Sequence, residues 1–477
     1  MKAPFSAYLT VIAPALKELI ALLREDFAYV SVLATDSPGF TLQVSQHTKS
    51  VTHATMTTER GIVVRVMQNG RYSEYAWNEF DPSDIRVCAE MIREELMKQI
   101  RMMELMNIDT YETGALQDEP LTLFVEKETD VLPENADTAM LLDLLQEISD
   151  SGVSLAGHAV ECNLRVQSTH ISKLFLTENR DLRQSYVYSE GMVSVVVVRD
   201  GETRQAYEGV SGCAGPEIFE ELARKVETAA ETAEKMLDAE KIVPGEYDII
   251  TTPEVTGLIA HEAFGHGVEM DMFVKNRALG REYIGSRVGS DLVSMHEGAA
   301  CAESVTAYAF DDEGILAGDV TEIDHGILVT GICDALSAVR LGTKPTGNGK
   351  RENYAHKAYT RMTNTVFDSG ESTLEEMIAS VSYGYLLDGM QSGMEDPKHW
   401  GIQCIVSRGY EIKDGKLTGK MVSPVVMTGY VPSLLGSVTM ASADRVIAGN
   451  GGCGKGSKEW VKVADGGPYL KARATLG

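Results

Sequence analysis

The stretch Ile259-Ala260-His261-Glu262-Ala263-Phe264-Gly265-His266 places two imidazoles and a carboxylate within six residues, at the predicted end of an apolar helix. Neutral ring nitrogens are good zinc ligands, and a carboxylate beside the ion can take a proton from the water that the ion activates. The stretch therefore predicts a metal-dependent hydrolytic site, with His261 and His266 as ligands and Glu262 as general base.

The spacing of the two histidines is unusual for a helical metal motif, because they are five residues apart rather than four. At about 100° per residue, a regular helix would leave the rings roughly 140° apart. We therefore expect one widened turn with i to i+5 hydrogen bonds, which Gly265 tolerates. Two alternatives stay open: a regular helix would pair Glu262 with His266 instead, and two helix-end histidines can simply satisfy hydrogen bonds.

Two histidines need at least one further protein ligand, and Cys453 is the best candidate. It lies in the glycine-rich segment Gly449–Gly456, where the backbone can approach an ion closely and Lys455 would favour the thiolate. An ordinary cysteine in a structural turn is one alternative. A phosphate-binding loop is another, but Gly456 stands where such a loop has Ser or Thr, and a strand is predicted to follow.

Length and charge restrict the other function classes. A chain of 477 residues is long enough for two or three domains, and its net charge of −27 argues against nucleic acid and against anionic membranes. Seven scattered cysteines favour a reducing compartment, and no apolar run reaches the length of about 20 residues that spans a bilayer. We expect a cytoplasmic protein.

The order of predicted elements indicates an α+β protein with three domains, over residues 1–115, 135–240 and 241–477. Strand, turn, strand and helix follow one another over residues 61–106 and again over residues 192–240, which suggests duplicated α/β units. The polar stretch 118–137 separates these units.

The third region carries the metal motif on a helix with clear start signals. Residues 247–250 read as a strand, Thr251 or Thr252 as the N-cap, and Pro253 as part of the first turn. Beyond the motif, short β-type runs at 402–406, 420–426 and 460–463 predict a β-rich C-terminal domain.

Five ordered motifs together resemble the TldD/PmbA family of metallopeptidases. They are His261–Gly267, Phe310–Gly314, Thr346–Arg351, Arg361–Thr365 and Gly449–Gly456. The resemblance is close in the third region and loose in the first two. TldD-like members carry the His-Glu-x-x-x-His motif that PmbA-like (TldE) partners lack, and this chain is similar to the first kind. It departs from the family around residues 293–296 and 397–400, which leaves substrate preference open.

The resemblance implies Zn²⁺ held by His261, His266 and Cys453, with Glu262 as general base. It also implies cleavage of peptides or unfolded polypeptide segments, and a homodimer or a heterodimer with a PmbA/TldE-like subunit. A peptide-binding subunit with slow or no turnover and an amidase acting on a small molecule remain as alternatives.

Other polar residues are weaker candidates, for which structural roles are the alternative. Substrate could be bound by Lys350, Arg351, Arg361 and Asn364, and a transition state could be contacted by His296, His325 and His356.

Overall fold

The structure is a computed structural model that describes residues 1–106, 114–116, 118–455 and 458–477. Two large β-sheets organise these residues, one of nine strands and one of eleven. Helices pack on the first sheet, and the second forms most of the C-terminal half. The predicted α+β class with a β-rich C-terminal part is confirmed.

The first sheet and its helices are built from residues before 240. In chain order the helices and strands are α1 (Ala7–Leu23), β1 (Tyr29–Ser37), β2 (Gly39–Val44), β3 (Lys49–Thr52), β4 (Glu59–Gln68), β5 (Arg71–Trp77), α2 (Ile85–Leu105), β6 (Leu121–Glu126), α3 (Thr138–Leu155), β7 (Ala159–Leu176), β8 (Arg180–Arg199), β9 (Glu202–Gly212) and α4 (Leu222–Met236).

The long hairpin β7–β8 joins both predicted α/β units in one sheet. One edge of β7 pairs with β2 along its first half and with β1 along its second half, while its other edge pairs with β8. The arrangement of hairpin and helix recurs as β4–β5–α2 and β8–β9–α4. Both hairpins turn on two residues with positive φ, Asn69-Gly70 and Asp200-Gly201, which is the turn geometry that suits the twist of paired strands.

The polar stretch 118–137 is not only a separator, as the sequence suggested. It contains β6, which pairs in parallel with β8. Half-buried and exposed positions alternate along most of β6, so the pattern of apolar residues that would predict a strand is weak. The domain boundaries proposed from the sequence remain predictions.

Helices cover this sheet in two pairs, each with its own apolar core. The pair α1 and α2 packs near β1, β4 and β5, and the pair α3 and α4 packs on β7, β8 and β9. The predicted N-terminal amphipathic helix is α1, whose Ser6 cap accepts a hydrogen bond from the N–H of Leu9 at 3.2 Å. No helix in the described part of the chain is both long and apolar enough to cross a membrane.

The C-terminal half contains many short elements. In chain order they are β10 (Gly245–Thr251), α5 (Pro253–Leu258), a π-helical turn (Ile259–Gly265), α6 (Met270–Val274), β11 (Met295–Glu297), β12 (Val320–Asp324), β13 (Ile327–Leu328), α7 (Ala335–Leu341), β14 (Gly349–Lys350), β15 (Tyr359–Thr360), β16 (Asn364–Phe367), α8 (Leu374–Ala379), β17 (Tyr383–Asp396), β18 (Gly401–Lys413), β19 (Lys416–Val422), β20 (Val425–Tyr430), α9 (Val431–Gly436), β21 (Met440–Ala448), β22 (Gly452–Lys455), β23 (Lys458–Lys462) and β24 (Ala464–Leu476).

Five strands of the second sheet pair in a closed circuit, which gives a barrel-like body. The circuit runs β10–β17–β18–β20–β24 and returns to β10, and the sheet continues from β24 through β16 to β11, β12 and β13. Helix α5 follows β10 directly and packs against β24 and β17. The metal motif is thereby held on a helix supported by strands that are distant in sequence.

Buried ion pairs connect the N-terminal sheet to the C-terminal half. Nε of Arg65 lies 2.7 Å from Oε1 of Glu74, and Nη1 of Arg351 lies 3.0 Å from Oε2 of the same carboxylate. Arg65 also pairs with Glu313, and Lys173 pairs with Asp312. Two of the family-like segments, 310–314 and 346–351, thus have a structural role between the two halves.

Replacing Glu74 with glutamine should destabilise the fold by about 3–5 kcal/mol, because the buried Arg65 and Arg351 would lose their shared counter-charge. Burial raises the pKa of Glu74, but Arg65 and Arg351 outweigh it and hold that pKa far below the ordinary value of 4.5. A carboxylate whose pKa is depressed in the folded state stabilises the fold at pH values above its ordinary pKa. The difference in unfolding free energy between the parent and Glu74→Gln should therefore shrink as pH falls below about 4.5. Urea unfolding at several pH values measures this difference.

The matched control for this prediction is Glu95→Gln, which removes a carboxylate that is 45% exposed and, among the described residues, is paired only with Lys98. Its cost should stay below about 1 kcal/mol. Equal losses of stability in the two variants would contradict a special contribution of the buried pairs.

Candidate metal centre

The helix that carries the two histidines starts as predicted. Strand β10 ends at Thr251, Thr252 occupies the N-cap with an extended backbone, and Pro253 is in the first turn. The regular helix ends at Leu258, and residues 259–265 form the π-helical turn. The N–H of His266 bonds to the carbonyl of His261, which is the i to i+5 pattern predicted from the spacing. The regular-helix alternative, with Glu262 and His266 on one face, is not adopted.

Gly265 is required for a different reason from the one predicted. Its backbone keeps ordinary helical angles, φ −54° and ψ −51°. A Cβ atom at this position would lie 2.1 Å from Sδ of Met362. The glycine is therefore needed for close packing against the segment 361–365, not for an unusual conformation.

His261, His266 and Cys453 meet at one point. One ligand atom from each lies within 4.8 Å of the others, and Sγ of Cys453 is 3.3 Å from Nε2 of His266. The two imidazole rings stand nearly perpendicular, with centroids 5.1 Å apart. A tetrahedral zinc site needs ligand atoms roughly 3.3–3.7 Å apart, so a contraction of at most about 1.5 Å would suffice.

Cys453 is presented by a β-hairpin. It lies in β22 opposite Val461 of β23, and its side chain is 5% exposed. Nη2 of Arg361 donates a hydrogen bond to its carbonyl at 2.8 Å. Strand β23 follows β22 where a phosphate-binding loop would continue into a helix, which disfavours that alternative. Gly456 of the predicted segment lies outside the described residues.

The charges of the three side chains favour a thiolate. Burial alone would raise the pKa of the Cys453 thiol, but His261 and His266 bring it well below its ordinary value. Burial would lower the pKa of His266, yet Cys453 and Glu269 raise it well above its ordinary value. A deprotonated sulfur is the form of Cys453 that a metal ion requires, and a bound ion would displace the proton that the raised pKa keeps on His266.

Glu269 supports the site from behind His266. Its Oε2 lies 3.1 Å from Nδ1 of His266, so Nε2 is turned toward Cys453. Nζ of Lys455 is 3.1 Å from the same oxygen and 2.6 Å from Oδ1 of Asp271. Burial raises the pKa of Glu269, but Lys455 and His266 lower it to about 2. Lys455, predicted to favour the Cys453 thiolate, instead ion-pairs with these carboxylates.

His261 has a different environment. Its Nδ1 is buried and makes no hydrogen bond with the described residues, and it lies 3.9 Å from Oδ2 of Asp465. Burial raises the pKa of Asp465 to about 6, against the opposing effect of His261. A buried ring nitrogen without a partner is costly, so the ring has unused capacity for a ligand.

Glu262 lies beside the three side chains but does not belong to their cluster. It is half-buried and packs against β17, where a Cβ at Gly393 would lie 2.3 Å from its Cγ. Its carboxylate makes no hydrogen bond or ion pair with the described residues. It is therefore free to accept a proton from a molecule at the site.

The weaker candidates have structural partners. Nζ of Lys350 donates to the carbonyls of Met362 and Lys462, and Asn364 bonds to the carbonyls of Gly298 and Ala302. These side chains are buried, as is that of Arg361. The side chains of His296, His325 and His356 bond to Asp319, Asp324 and Asn353, respectively.

Two supporting carboxylates were missed from the sequence. Glu269 is three residues after His266, a spacing that can bring side chains together on a helix and that could have pointed to it. Asp465 carries no local signal, because it reaches His261 only through the packing of α5 on β24.

Comparisons with known proteins found relatives that are named metalloproteases. Residues 244–474 match the family model described as PmbA/TldA metallopeptidase C-terminal domain. A metalloprotease of Synechocystis is 27% identical over 468 residues, which cover 98% of each chain. A zinc metalloprotease TldD homolog of Saccharolobus solfataricus is 30% identical over 236 residues, covering 48% of this chain and 51% of that relative.

The fold also has a solved counterpart. The crystal structure of TldE from Thermococcus kodakarensis matches 97% of this chain and 100% of its own, with a TM-score of 0.78 at 17% identity. The matched C-terminal domain and the similarity along the full length confirm the predicted resemblance to the TldD/PmbA family.

Proposed function

We propose that this protein is a zinc-dependent peptidase that cleaves peptides or unfolded polypeptide segments. His261, His266 and Cys453 would hold the ion, and Glu262 would be the general base. The observation that carries the proposal is the meeting of two ring nitrogens and one thiolate from positions nearly two hundred residues apart. Next to them lies the Glu262 carboxylate, which makes no hydrogen bond or ion pair with the described residues.

The donor set fits zinc. Two imidazoles and a thiolate are nitrogen and sulfur ligands, which suit zinc better than they suit calcium or magnesium. The buried Nδ1 of His261 makes no hydrogen bond with the described residues, and Glu269 fixes the orientation of His266. Three protein ligands also leave one coordination position open, as catalytic zinc sites do.

The ion and Glu262 would have separate roles in peptide hydrolysis. When bound, zinc lowers the pKa of water and polarises a peptide carbonyl. The Glu262 carboxylate would accept the proton of the attacking water on one oxygen and later deliver it to the leaving amine. The neighbouring Gly393 has no side chain, so strand β17 does not displace Glu262 from the site.

The substrate class, assembly and location are supported by the relatives and by the composition. Relatives along the full length and in the C-terminal half are named metalloproteases. The proposed assembly is a homodimer or a heterodimer with a TldE-like subunit, and the fold shared with a TldE is consistent with the heterodimer. All seven cysteines are free, which suits the cytoplasm. The net charge of −27 argues against nucleic acid and anionic membranes as partners.

The direct test is incubation of the purified protein with unfolded casein and with a peptide library, with and without 1,10-phenanthroline. We expect peptide products by mass spectrometry, their loss with the chelator and their return when zinc is added. Stable binding of casein without cleavage would favour the alternative of a peptide-binding subunit. Cleavage of small-molecule amides but not of peptides would favour the amidase alternative.

Replacing Glu269 with glutamine should weaken zinc binding by about 10- to 100-fold, because His266 would lose the carboxylate that orients and polarises its ring. Competition with a chromogenic chelator measures the affinity. Glu371→Gln, an exposed carboxylate elsewhere in the same half, is the control and should bind zinc as the parent does. Unchanged affinity in Glu269→Gln would show that this carboxylate does not support the site.

A further inference from the structure

A small polar cavity lies between the N-terminal sheet and the C-terminal half of the chain. Strands β4, β7 and β8 line one side, and residues 305–312, 350–352 and 460–462 line the other. Its volume is about 70 Å³, and its described lining contains neither Glu262 nor the three proposed metal ligands. One buried water needs about 10–15 Å³, so the cavity has room for a molecule of about five non-hydrogen atoms.

Most charged side chains of this lining already have partners among the described residues. Ion pairs join Lys173 to Asp312, Lys462 to Glu190 and Arg351 to Glu74, Asp311 accepts three backbone N–H bonds, and Glu352 lies 3.8 Å from Nε2 of His356. These groups therefore give no reason to expect a ligand of either charge.

The Glu59 carboxylate is different, because it makes no ion pair with the described residues. Its Oε2 accepts the backbone N–H of Tyr354 at 2.8 Å, and its Oε1 makes no hydrogen bond with the described residues. Burial raises the pKa of Glu59 to about 7, against the opposing effect of Lys173. A cation inside the cavity would stabilise the charged form of this carboxylate.

The Lys350 side chain lacks the opposite counter-charge. Its Nζ donates to the carbonyls of Met362, at 3.0 Å, and of Lys462, and it makes no ion pair with the described residues. An ammonium group has three donors, so one remains for a further acceptor. Burial lowers the pKa of Lys350 to about 7, and Arg361 lowers it further. An anion inside the cavity would stabilise the charged amine.

The hydroxyl of Tyr186 is a third group of the lining that lacks a partner. The residue is 5% exposed, and its hydroxyl makes no hydrogen bond with the described residues. In contrast, the neighbouring Tyr188 bonds to Thr57, and Tyr308 donates to the carbonyl of Gly347 at 2.7 Å. A buried hydroxyl without a partner is costly, so an acceptor atom of a ligand at Tyr186 would be stabilising.

We propose that this cavity binds a small zwitterionic amino acid of the size of glycine or alanine. The ammonium group of the ligand would lie at Glu59, and its carboxylate would lie at Lys350 and Tyr186. A simple anion would leave Glu59 without a counter-ion, and a simple cation would leave Lys350 without one, whereas a zwitterion pairs with both. The inference does not rest on the proposed peptidase function, because the described lining excludes the proposed catalytic set.

The test is isothermal titration calorimetry of the full-length protein with L-alanine, propionate and ethylamine, before and after removal of zinc. We expect one saturable site for alanine and at least about tenfold weaker binding of the other two compounds, which each lack one charge. Removal of zinc should change none of these affinities.

Three results would overturn the proposal: no saturable binding of alanine, equal affinity for the three compounds, or binding of alanine only to the zinc-loaded protein. The last result would place the ligand at the metal centre. A protein that binds alanine with and without zinc but does not cleave peptides would refute only the proposed peptidase.

A charge-removing variant locates the ammonium group. Glu59→Gln should weaken alanine binding by about tenfold and leave propionate binding unchanged, because propionate has no group for Glu59. The matched control is Glu126→Gln, which changes a half-buried carboxylate outside the lining that also accepts one backbone N–H, from Phe5 at 2.9 Å. Equal affinities for alanine in the two variants would contradict the proposed position of the ammonium group.

Removal of a single hydroxyl locates the carboxylate. Tyr186→Phe loses no hydrogen bond within the described residues, so its Tm without ligand should match that of the parent, while alanine affinity should fall about tenfold. Tyr29→Phe, at a buried tyrosine outside the lining, is the control and should bind alanine as the parent does. Parental alanine affinity in both Tyr186→Phe and Glu59→Gln would overturn the site.

Discussion

The Glu262→Gln protein is expected to bind zinc as the parent does and to lose peptide hydrolysis. Glutamine keeps the size of the side chain that packs against Gly393 but cannot accept a proton. Loss of a general base costs about 10²- to 10⁴-fold in rate. Because Glu262 is not one of the three converging ligands, the metal content should stay near that of the parent.

The measurement pairs turnover of a fluorogenic peptide with metal content by atomic emission on the same sample. Glu282→Gln, an exposed carboxylate in the same half, is the control and should retain both activity and zinc. A Glu262→Gln protein that cleaves peptides at the parental rate would rule out the base assignment. Loss of zinc together with activity would instead make Glu262 a ligand.

The Cys453→Ala protein is expected to lose both zinc and activity. The thiolate supplies one of three ligands, and Nε2 of His266 would lose the sulfur that now lies 3.3 Å away. Removal of a direct ligand should cost more than the roughly 10- to 100-fold that loss of a supporting carboxylate costs. Zinc should therefore be absent after dialysis against a weak chelator.

The control for Cys453→Ala is Cys301→Ala, which removes a half-buried thiol of the same half that bonds to the carbonyl of Asn364. It should keep zinc and activity. Circular dichroism of both variants separates loss of the ion from loss of the fold. Retention of one zinc per chain in a folded Cys453→Ala protein would contradict the proposed ligand set.

Much of the candidate centre could be predicted because the spacing of residues close together in the sequence indicates its chemistry. The separation of His261 and His266 requires a widened turn, and the structure forms it. Thr252 and Pro253 fix where the helix begins. Cys453 could be selected from its glycine-rich surroundings and from the family resemblance, although no local pattern links it to the histidines.

The remaining features depend on tertiary packing, which local patterns do not encode. Gly265 is needed because Met362 approaches it, and Lys455 turns to Glu269 and Asp271 because those carboxylates are buried beside it. Strand β6 was missed because it is short and half-buried. The closed circuit of five strands and the cavity between the two halves arise from pairings distant along the chain.

Diffraction from crystals of the zinc-loaded protein, recorded on both sides of the zinc absorption edge, tests the central claim most directly. We expect one anomalous peak per chain, within about 2.0–2.3 Å of a ring nitrogen of His261, a ring nitrogen of His266 and Sγ of Cys453. A zinc ion bound by other residues would contradict the proposed site. So would the absence of an anomalous peak at this position in a protein that cleaves peptides.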